Sequence, residues 1–220
     1  MEDGNVMINI IYEDNHLLVV EKPANVPVQA DSTKDKDLLN ILKEYLKEKY
    51  NKPGNVFLGL VHRLDRPVSG IMVFAKTSKA AARLSKQIRN KTFKKTYLAV
   101  VEGKTKQIDT LVDKLEKDKK NNIVKISKSG KEAILTYKSL GHKNNLSLVQ
   151  IDLKTGRPHQ IRVQFATRGF PLYGDQKYNK NAKKDDIALF AQRLEFIHPT
   201  TKEKLIFELK KPNKYPFNLF

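Results

Sequence analysis

The sequence predicts an α+β domain in which strands dominate and a few helices pack beside them. Short runs rich in β-branched and aromatic residues recur along the chain, mostly as consecutive pairs separated by polar turns, which is the pattern of antiparallel hairpins. Three segments instead carry apolar residues at helical spacing. With 220 residues, 40% of them hydrophobic, and no repeat or linker-like tract, the chain is expected to form a single domain over residues 1–220.

The amino-terminal part is predicted to form a strand pair, a helix and a further strand. Residues 8–22 contain two β-branched runs around a Glu-Asp-Asn turn, and prolines close them. Residues 37–50 have helical spacing that begins after Asp37, a residue suited to N-capping, and the Pro-Gly pair at 53–54 ends it. A turn and an apolar strand are then expected within residues 57–76.

The middle of the chain continues with a helix and a strand. Thr77 or Ser78 is expected to cap a helix that runs to Asn90. Residues 94–103 form an apolar run that ends in glycine, which predicts a strand. Residues 113–122, DKLEKDKKNN, are almost entirely charged or polar, and we predict that they form a mobile loop.

The carboxyl-terminal part is predicted to contain two hairpins with a helix between them. Residues 135–141 and 146–153 are strand-like and flank a short polar segment. Residues 157–169 have helical spacing, with Pro158 tolerated in the first turn and Gly169 positioned to end the helix. The second hairpin is predicted for residues 190–199 and 204–212.

The charge of the chain indicates a polyanionic partner. Lysine and arginine total 42 against 24 acidic residues, so the formal net charge is +18 and the sequence pI is about 9.8, more than solubility requires. No stretch approaches the roughly 20 apolar residues of a membrane-spanning helix. Nucleic acid is therefore favoured over a membrane, although a generally lysine-rich proteome would produce the same balance.

Arginine is used sparingly in this chain and marks two short strings. There are 34 lysines but only eight arginines, and four of the eight lie in HRLDR at 62–66 and GRPHQIR at 156–162. The planar guanidinium group can donate several hydrogen bonds at once to a carboxylate or phosphate. The two strings are therefore the first candidates for a functional site.

The string VHRLDRPVSG at 61–70 places Asp65 between Arg63 and Arg66 and just before a Ser-Gly turn. A nearby cation favours the ionised carboxylate, and a turn keeps the side chain out of the core. Asp65 could therefore act as a nucleophile or a general base. The alternative is that Asp65 only forms an Asx-turn.

Other common site types find little support. The chain has no cysteine, which excludes disulfides, thiolate zinc sites and cysteine nucleophiles. The five histidines are scattered, and no pair has metal-box spacing. Ser69, His62 and Asp65 are the residue types of a hydrolase triad, but they crowd one turn and no GxSxG elbow is present.

Three separated motifs resemble the RluA-type family of RNA pseudouridine synthases, and an opening segment supports them. The motifs are HRLDRPVSG, KKTYLAVV and TGRPHQIRVQFATRGFPLYGD, and the opening segment is YEDNHLLVVEKPANVPV. The resemblance runs from about Ile10 to about Lys211 and so covers nearly the entire chain. It implies a mixed, largely antiparallel sheet with flanking helices and a central cleft. It also implies a reaction that needs no metal or organic cofactor.

The resemblance assigns roles to several side chains. It implies that Asp65 is the catalytic aspartate, that Tyr97 stacks on the target base, and that Arg162 pairs with the catalytic carboxylate. Arg63 corresponds to a side chain that some members insert into the RNA where the base leaves, although a phosphate contact is equally compatible with the sequence. The same motifs supply four further candidates for RNA binding and base flipping: His62, Arg66, Arg157 and His159.

The chain departs from the common family pattern at three positions and in its extent. Val68 replaces a frequent threonine, Pro158 a frequent threonine or serine, and Gln164 a frequent histidine. We expect no counterpart of the family's frequent N-terminal S4 RNA-binding domain. RNA binding is therefore expected to rest on the basic surface of the synthase domain itself.

The sequence favours an isomerase that converts uridine to pseudouridine in ribosomal or transfer RNA. A non-catalytic RNA-binding or ribosome-assembly protein on the same fold is the alternative, and an N-glycosidase is a third possibility. The start MEDGNVMINII lacks the basic and apolar regions of a secretory signal, which predicts a cytoplasmic protein. A monomer is favoured.

Overall fold

The computed structural model describes residues 7–30, 33, 35–118, 120–182 and 185–220. The amino-terminal residues 1–6, which contribute to the expectation of a cytoplasmic protein, lie outside this set. Within the described part of the chain, no helix is long and apolar enough to cross a membrane. The elements are β1 (Asn9–Glu13), β2 (Leu17–Lys22), α1 (Leu38–Lys49), β3 (Gly59–Leu60), β4 (Ser69–Ala75), α2 (Ser78–Arg89), β5 (Lys94–Glu102), β6 (Ile108–Asp118), β7 (Ile123–Ile126), β8 (Lys131–Lys143), β9 (Leu146–Leu153), α3 (Gln160–Ala166), β10 (Leu189–Ile197), β11 (Lys204–Glu208) and a short 3-10 helix (Phe217–Leu219).

One mixed, largely antiparallel sheet contains all the strands of the described residues. Its order is β1-β2-β4-β10-β5-β9-β8-β6-β7, with β3 added to β4 and β11 added to β10. Every pair is antiparallel except β4 with β10. The predicted α+β class and the predicted hairpins β8–β9 and β10–β11 are therefore confirmed.

The single parallel pairing joins β10 to β4, the strand that follows the motif around Asp65. Phe190 pairs with Ser69 and Ala191 pairs with Gly70. Gly70 has a φ of +126°, and a Cβ there would lie 2.3 Å from the carbonyl oxygen of Ala191. Only glycine permits this approach, so Gly70 allows β10 to pack beside the strand that follows Asp65.

The first two helices begin where the sequence predicts. The Asp37 side chain accepts a hydrogen bond from the Asn40 amide at 3.1 Å, and Thr77 accepts one from the Ala80 amide at 3.1 Å. Each bond satisfies an amide that a helix start otherwise leaves unpaired. Helix α1 covers one face of the sheet and α2 packs against the other, because alternate residues of the central strands point to opposite faces.

The prediction that residues 113–122 form a mobile loop is wrong. Apart from residue 119, which lies outside the described residues, this segment supplies the end of β6 and the turn into β7. Leu115 of β6 and Val124 of β7 are buried together against Val163 of α3. The charged residues occupy the solvent side of a two-stranded arm, so their density hid the few apolar positions that hold the arm in place.

The predicted helix at 157–169 is shorter than expected. Helix α3 spans only Gln160–Ala166, and His159 before it has a φ of 48°. A left-handed residue does not continue a right-handed helix, so Pro158 lies in the preceding turn. The Gln160 side chain stabilises this turn by accepting hydrogen bonds from the Arg157 amide at 3.0 Å and the Thr155 hydroxyl at 2.8 Å.

Candidate active site

Asp65 lies in the loop between β3 and β4, at the wall of a cleft of about 1060 Å³. Its backbone carbonyl accepts a hydrogen bond from the Val68 amide at 3.0 Å, which closes a turn and directs the side chain away from the core. The side chain remains 29% exposed. The carboxylate is therefore partly shielded from solvent but accessible from the cleft.

Arg162 lies between two carboxylates, those of Asp65 and Asp175, and donates hydrogen bonds to both. Its Nη1 lies 3.1 Å from Asp65 Oδ2, while Nε and Nη2 lie 2.8 and 2.6 Å from the two oxygens of Asp175. Burial opposes the charged form of Arg162, but the hydrogen bonds to Asp175 and the charge of Asp65 raise its pKa above the ordinary value. The guanidinium group is therefore a fixed cation beside Asp65.

Asp175 was not singled out from the sequence, although it ends the third family-like motif. Its side chain has no exposed surface, and besides Arg162 it accepts hydrogen bonds from the amides of Lys177 and Tyr178 at 3.0 and 3.3 Å. A carboxylate with no solvent contact needs such donors. The signal available in the sequence was an acidic residue placed directly after a Tyr-Gly pair.

Tyr97 lies on β5 and lines the same cleft as Asp65. It is 6% exposed and packs within the larger hydrophobic cluster of the protein. Burial, together with the charge of Asp65, raises the pKa of its hydroxyl above the ordinary value. The ring is therefore neutral and held rigidly by the sheet, as an aromatic stacking surface requires.

His159 and Tyr178 form a hydrogen-bonded pair beside the Asp65 carboxylate. His159 Nε2 lies 4.0 Å from Asp65 Oδ2, and His159 Nδ1 is 2.6 Å from the Tyr178 hydroxyl. That hydroxyl also accepts a hydrogen bond from the Val124 amide at 2.8 Å. Burial lowers the pKa of His159 to about 4, although Asp65 opposes this change. The imidazole is therefore neutral at pH 7, and Tyr178 is a site residue that sequence reasoning missed.

Lys22 is a further residue that the sequence analysis did not identify. It is completely buried at the end of β2 and donates hydrogen bonds to the carbonyls of Pro23, Arg66 and Val68 at 2.8, 2.9 and 2.8 Å. Burial lowers its pKa to about 7. Because two of the three acceptors flank the turn after Asp65, Lys22 holds that turn in position.

The arginines predicted to contact RNA differ in their exposure and in their hydrogen-bond partners. Arg63 is exposed and lines the cleft. Arg66 donates to the Thr33 hydroxyl at 2.8 Å and contacts the Asp35 carboxylate, and Arg157 donates to the Glu132 carbonyl at 2.8 Å. The cleft lining contains all of the candidates predicted from the sequence: His62, Arg63, Asp65, Arg66, Tyr97, Arg157, His159 and Arg162.

Gln164, where the family often has histidine, connects α3 to the arm formed by β6 and β7. It is fully buried and donates to the Asp113 carboxylate at 2.7 Å and the Ala133 carbonyl at 3.2 Å. Arg168 also contacts Asp113 at 2.8 Å. An amide therefore provides the donor that holds the arm against the helix carrying Arg162.

His62 is buried more deeply than its expected RNA contact suggests. Its Nε2 accepts a hydrogen bond from the Val73 amide at 3.1 Å, and its ring packs 5.7 Å from Phe93. The Nδ1 atom is buried and has no hydrogen-bond partner among the described residues. Burial, together with the positive charge of Lys95, lowers the pKa of His62 to about 3. Direct contact of His62 with RNA stays a prediction.

We expect His62 to make the fold sensitive to acid. Its pKa is about 3 when folded and about 6.5 when unfolded, so below pH 6.5 the unfolded chain binds the proton more readily and stability falls. Between pH 7 and pH 5 the free energy of unfolding should decrease by about 2 kcal/mol more in the wild type than in His62→Gln. Urea unfolding at both pH values measures this difference, and identical pH dependence in the two proteins would contradict it.

The assembled site contains a partly exposed carboxylate, a buried guanidinium group hydrogen-bonded to it, and an aromatic ring, all in one basic cleft. Within the described residues, no group of three or more His, Cys, Asp or Glu side chains is arranged to hold a metal ion. A carboxylate can attack an electrophilic carbon or remove a proton. The aromatic ring can stack on a base taken out of an RNA strand.

Comparison with known proteins identifies relatives of this chain and of its fold. The family described as RNA pseudouridylate synthase matches residues 16–167. An RNA pseudouridine synthase named as uncharacterized, from Aquifex aeolicus, is 35% identical over 96% of this chain and 72% of its own length. "Ribosomal large subunit pseudouridine synthase D" of Zymomonas mobilis is 32% identical over 96% of this chain and 71% of its own length.

A solved structure shows the same fold. "Human RNA Pseudouridylate Synthase Domain Containing 1" superimposes with a TM-score of 0.75 over 96% of this chain and 87% of that chain, at 24% sequence identity. The family match covers well over half of the 220 residues, and the sequence relatives extend over almost the whole chain. The chain therefore belongs to the RluA-type family of RNA pseudouridine synthases and is an isomerase that acts on RNA.

Proposed function

We propose that Asp65 is the catalytic residue that isomerises uridine in ribosomal or transfer RNA. The observation that carries this proposal is the position of its carboxylate, 3.1 Å from the buried Arg162 guanidinium and in the same cleft as Tyr97. The hydrogen bond holds a reactive carboxylate in place where a flipped base could reach it. Arg63, exposed at the cleft, would occupy the space that the base leaves.

The reaction leaves the elemental composition of the nucleotide unchanged. The bond between ribose C1′ and uracil N1 breaks, the uracil rotates, and a bond forms between C1′ and C5. The proton on C5 leaves and N1 ends protonated. Asp65 can begin this sequence in three ways: attack on C1′, addition to the uracil ring, or removal of the C2′ proton. Each route uses the carboxylate that Arg162 holds in place by a hydrogen bond.

The target RNA is best sought first in the large ribosomal subunit. The relative from Zymomonas mobilis carries a ribosomal large subunit name, and we extend that substrate class to this chain as a proposal. The net charge of +18 provides the electrostatic attraction for any RNA. Transfer RNA therefore remains the necessary comparison in the assay.

Tritium release tests the proposal directly. Ribosomal and transfer RNA transcripts carrying tritium at uracil C5 are incubated with the protein, and the label appears in water only when C5 loses its proton. We expect release from at least one RNA, with large-subunit ribosomal RNA preferred. RNA binding without release would support the non-catalytic alternative, and free uracil among the products would support an N-glycosidase.

A further inference from the structure

Lys95 is a cation inside the cleft for which the described residues provide no counter-ion. It lies on β5 two positions before Tyr97, so the two side chains point to the same face of the sheet, and both line the cleft. Within the described ranges no hydrogen bond or ion pair involves its ammonium group. A partly enclosed charge without a partner is costly, which suggests that a ligand supplies one.

The ammonium group of Lys95 lies against the loop that leads to Arg162. A Cβ at Gly156 would be 3.0 Å from Lys95 Nζ, so glycine at this position leaves room for the cation. Burial lowers the pKa of Lys95, and its charge contributes to the low pKa of His62. The ammonium is therefore in the interior part of the cleft rather than on its outer rim.

The neighbouring lysine has an entirely different environment. Lys94 points to the opposite face of β5, where its Nζ lies 2.9 Å from Glu195 Oε1. Glu195 is also paired with Lys204 at 2.9 Å and with Arg193 at 3.0 Å. Lys94 is therefore one of several cations around an acidic residue, whereas Lys95 lines the cleft without an acidic partner among the described residues.

We infer that Lys95 binds the phosphate of the nucleotide whose base stacks on Tyr97. The inference rests on the proposed use of this cleft by a flipped uridine. Uracil and ribose are neutral, so the phosphate is the anionic part of the nucleotide. Two residues along a strand span about 6.6–6.8 Å, which brings the ribose phosphate of a nucleotide whose base stacks on Tyr97 within reach of the lysine side chain.

The matched variants Lys95→Met and Lys94→Met test this inference. Both remove one positive charge from adjacent positions of the same strand and retain an unbranched side chain. Their affinity for a large-subunit ribosomal RNA transcript is measured against salt concentration, in a protein that also carries Asp65→Asn to prevent turnover. We expect Lys95→Met to reduce the slope of log affinity against log salt by about 0.7–0.9, the value for one lost phosphate contact.

Lys94→Met should leave the salt dependence close to that of the parent protein, and Lys95→Arg should retain it because the cation is kept. Equal slopes for Lys95→Met and Lys94→Met would overturn the inference. A loss of slope in Lys95→Arg as large as that in Lys95→Met would also overturn it, since a charge contact would then not be the cause. Failure of the proposed function would appear separately, as RNA binding by the wild type without tritium release.

Discussion

Asp65→Asn is expected to reduce tritium release from the target RNA by a factor of roughly 10⁴ or more, which is the scale for loss of a group that acts directly in the chemistry. The amide is nearly the same size as the carboxylate, but it cannot attack carbon or accept a proton at neutral pH. Arg162 would keep both hydrogen bonds to Asp175. The variant should therefore fold normally and still bind RNA.

The control for this experiment is Asp152→Asn, which removes the same charge outside the cleft. Asp152 is exposed on β9, and its carboxylate accepts a hydrogen bond from the Thr96 hydroxyl at 3.0 Å. We expect near wild-type turnover from it. Initial rates and RNA affinity are measured for both variants and the wild type. Turnover by Asp65→Asn comparable to that of the control would contradict the assignment.

Asp175→Ala is expected to lower the free energy of unfolding by about 3–5 kcal/mol, because it leaves the Arg162 guanidinium buried without its main partner. The Arg162 side chain is only 6% exposed to solvent, and the Asp175 side chain is 0% exposed. The variant also removes the acceptor for the amides of Lys177 and Tyr178. Arg162 should lose its orientation towards Asp65, so turnover should fall in the protein that remains folded.

Asp186→Ala provides the matched comparison for stability. Its carboxylate pairs with Lys214 at 2.8 Å, but the two side chains are 48% and 50% exposed, and an exposed pair contributes at most about 1 kcal/mol. Urea unfolding of both variants measures the difference. Combining Arg162→Met with Asp175→Leu should restore part of the stability lost in Asp175→Ala, since no unpaired charge remains. Equal destabilisation by Asp175→Ala and Asp186→Ala would contradict the role of burial.

The elements that the sequence predicted correctly depend on local patterns. Asp37 and Thr77 cap helices because their side chains reach an amide three residues later, a contact that needs no distant part of the chain. The hairpins β8–β9 and β10–β11 were visible for the same reason, since each pairs neighbouring segments. The wrong predictions concern segments whose conformation depends on long-range packing, as in the arm held against Val163.

The candidate site was predictable only in part. Asp65, Tyr97 and Arg162 were identified through motifs and a family resemblance. The spacing of Asp65 and Arg162 along the chain did not show that Arg162 Nη1 lies 3.1 Å from Asp65 Oδ2. Lys22 was missed because a lysine after an apolar strand normally reaches solvent. Its three carbonyl acceptors come partly from a turn 44 and 46 residues away.

The sequence by itself determined the α+β class, the basic character that favours RNA, and the residue types available for catalysis, because these follow from composition, local periodicity and short motifs. Only the tertiary structure decided that Asp175 is the buried partner of Arg162, that Lys95 faces the cleft while Lys94 does not form part of it, and that β6 continues to Asp118 and forms an arm with β7. The physical reason is that burial and ion pairing depend on contacts between distant segments, which a linear pattern does not specify.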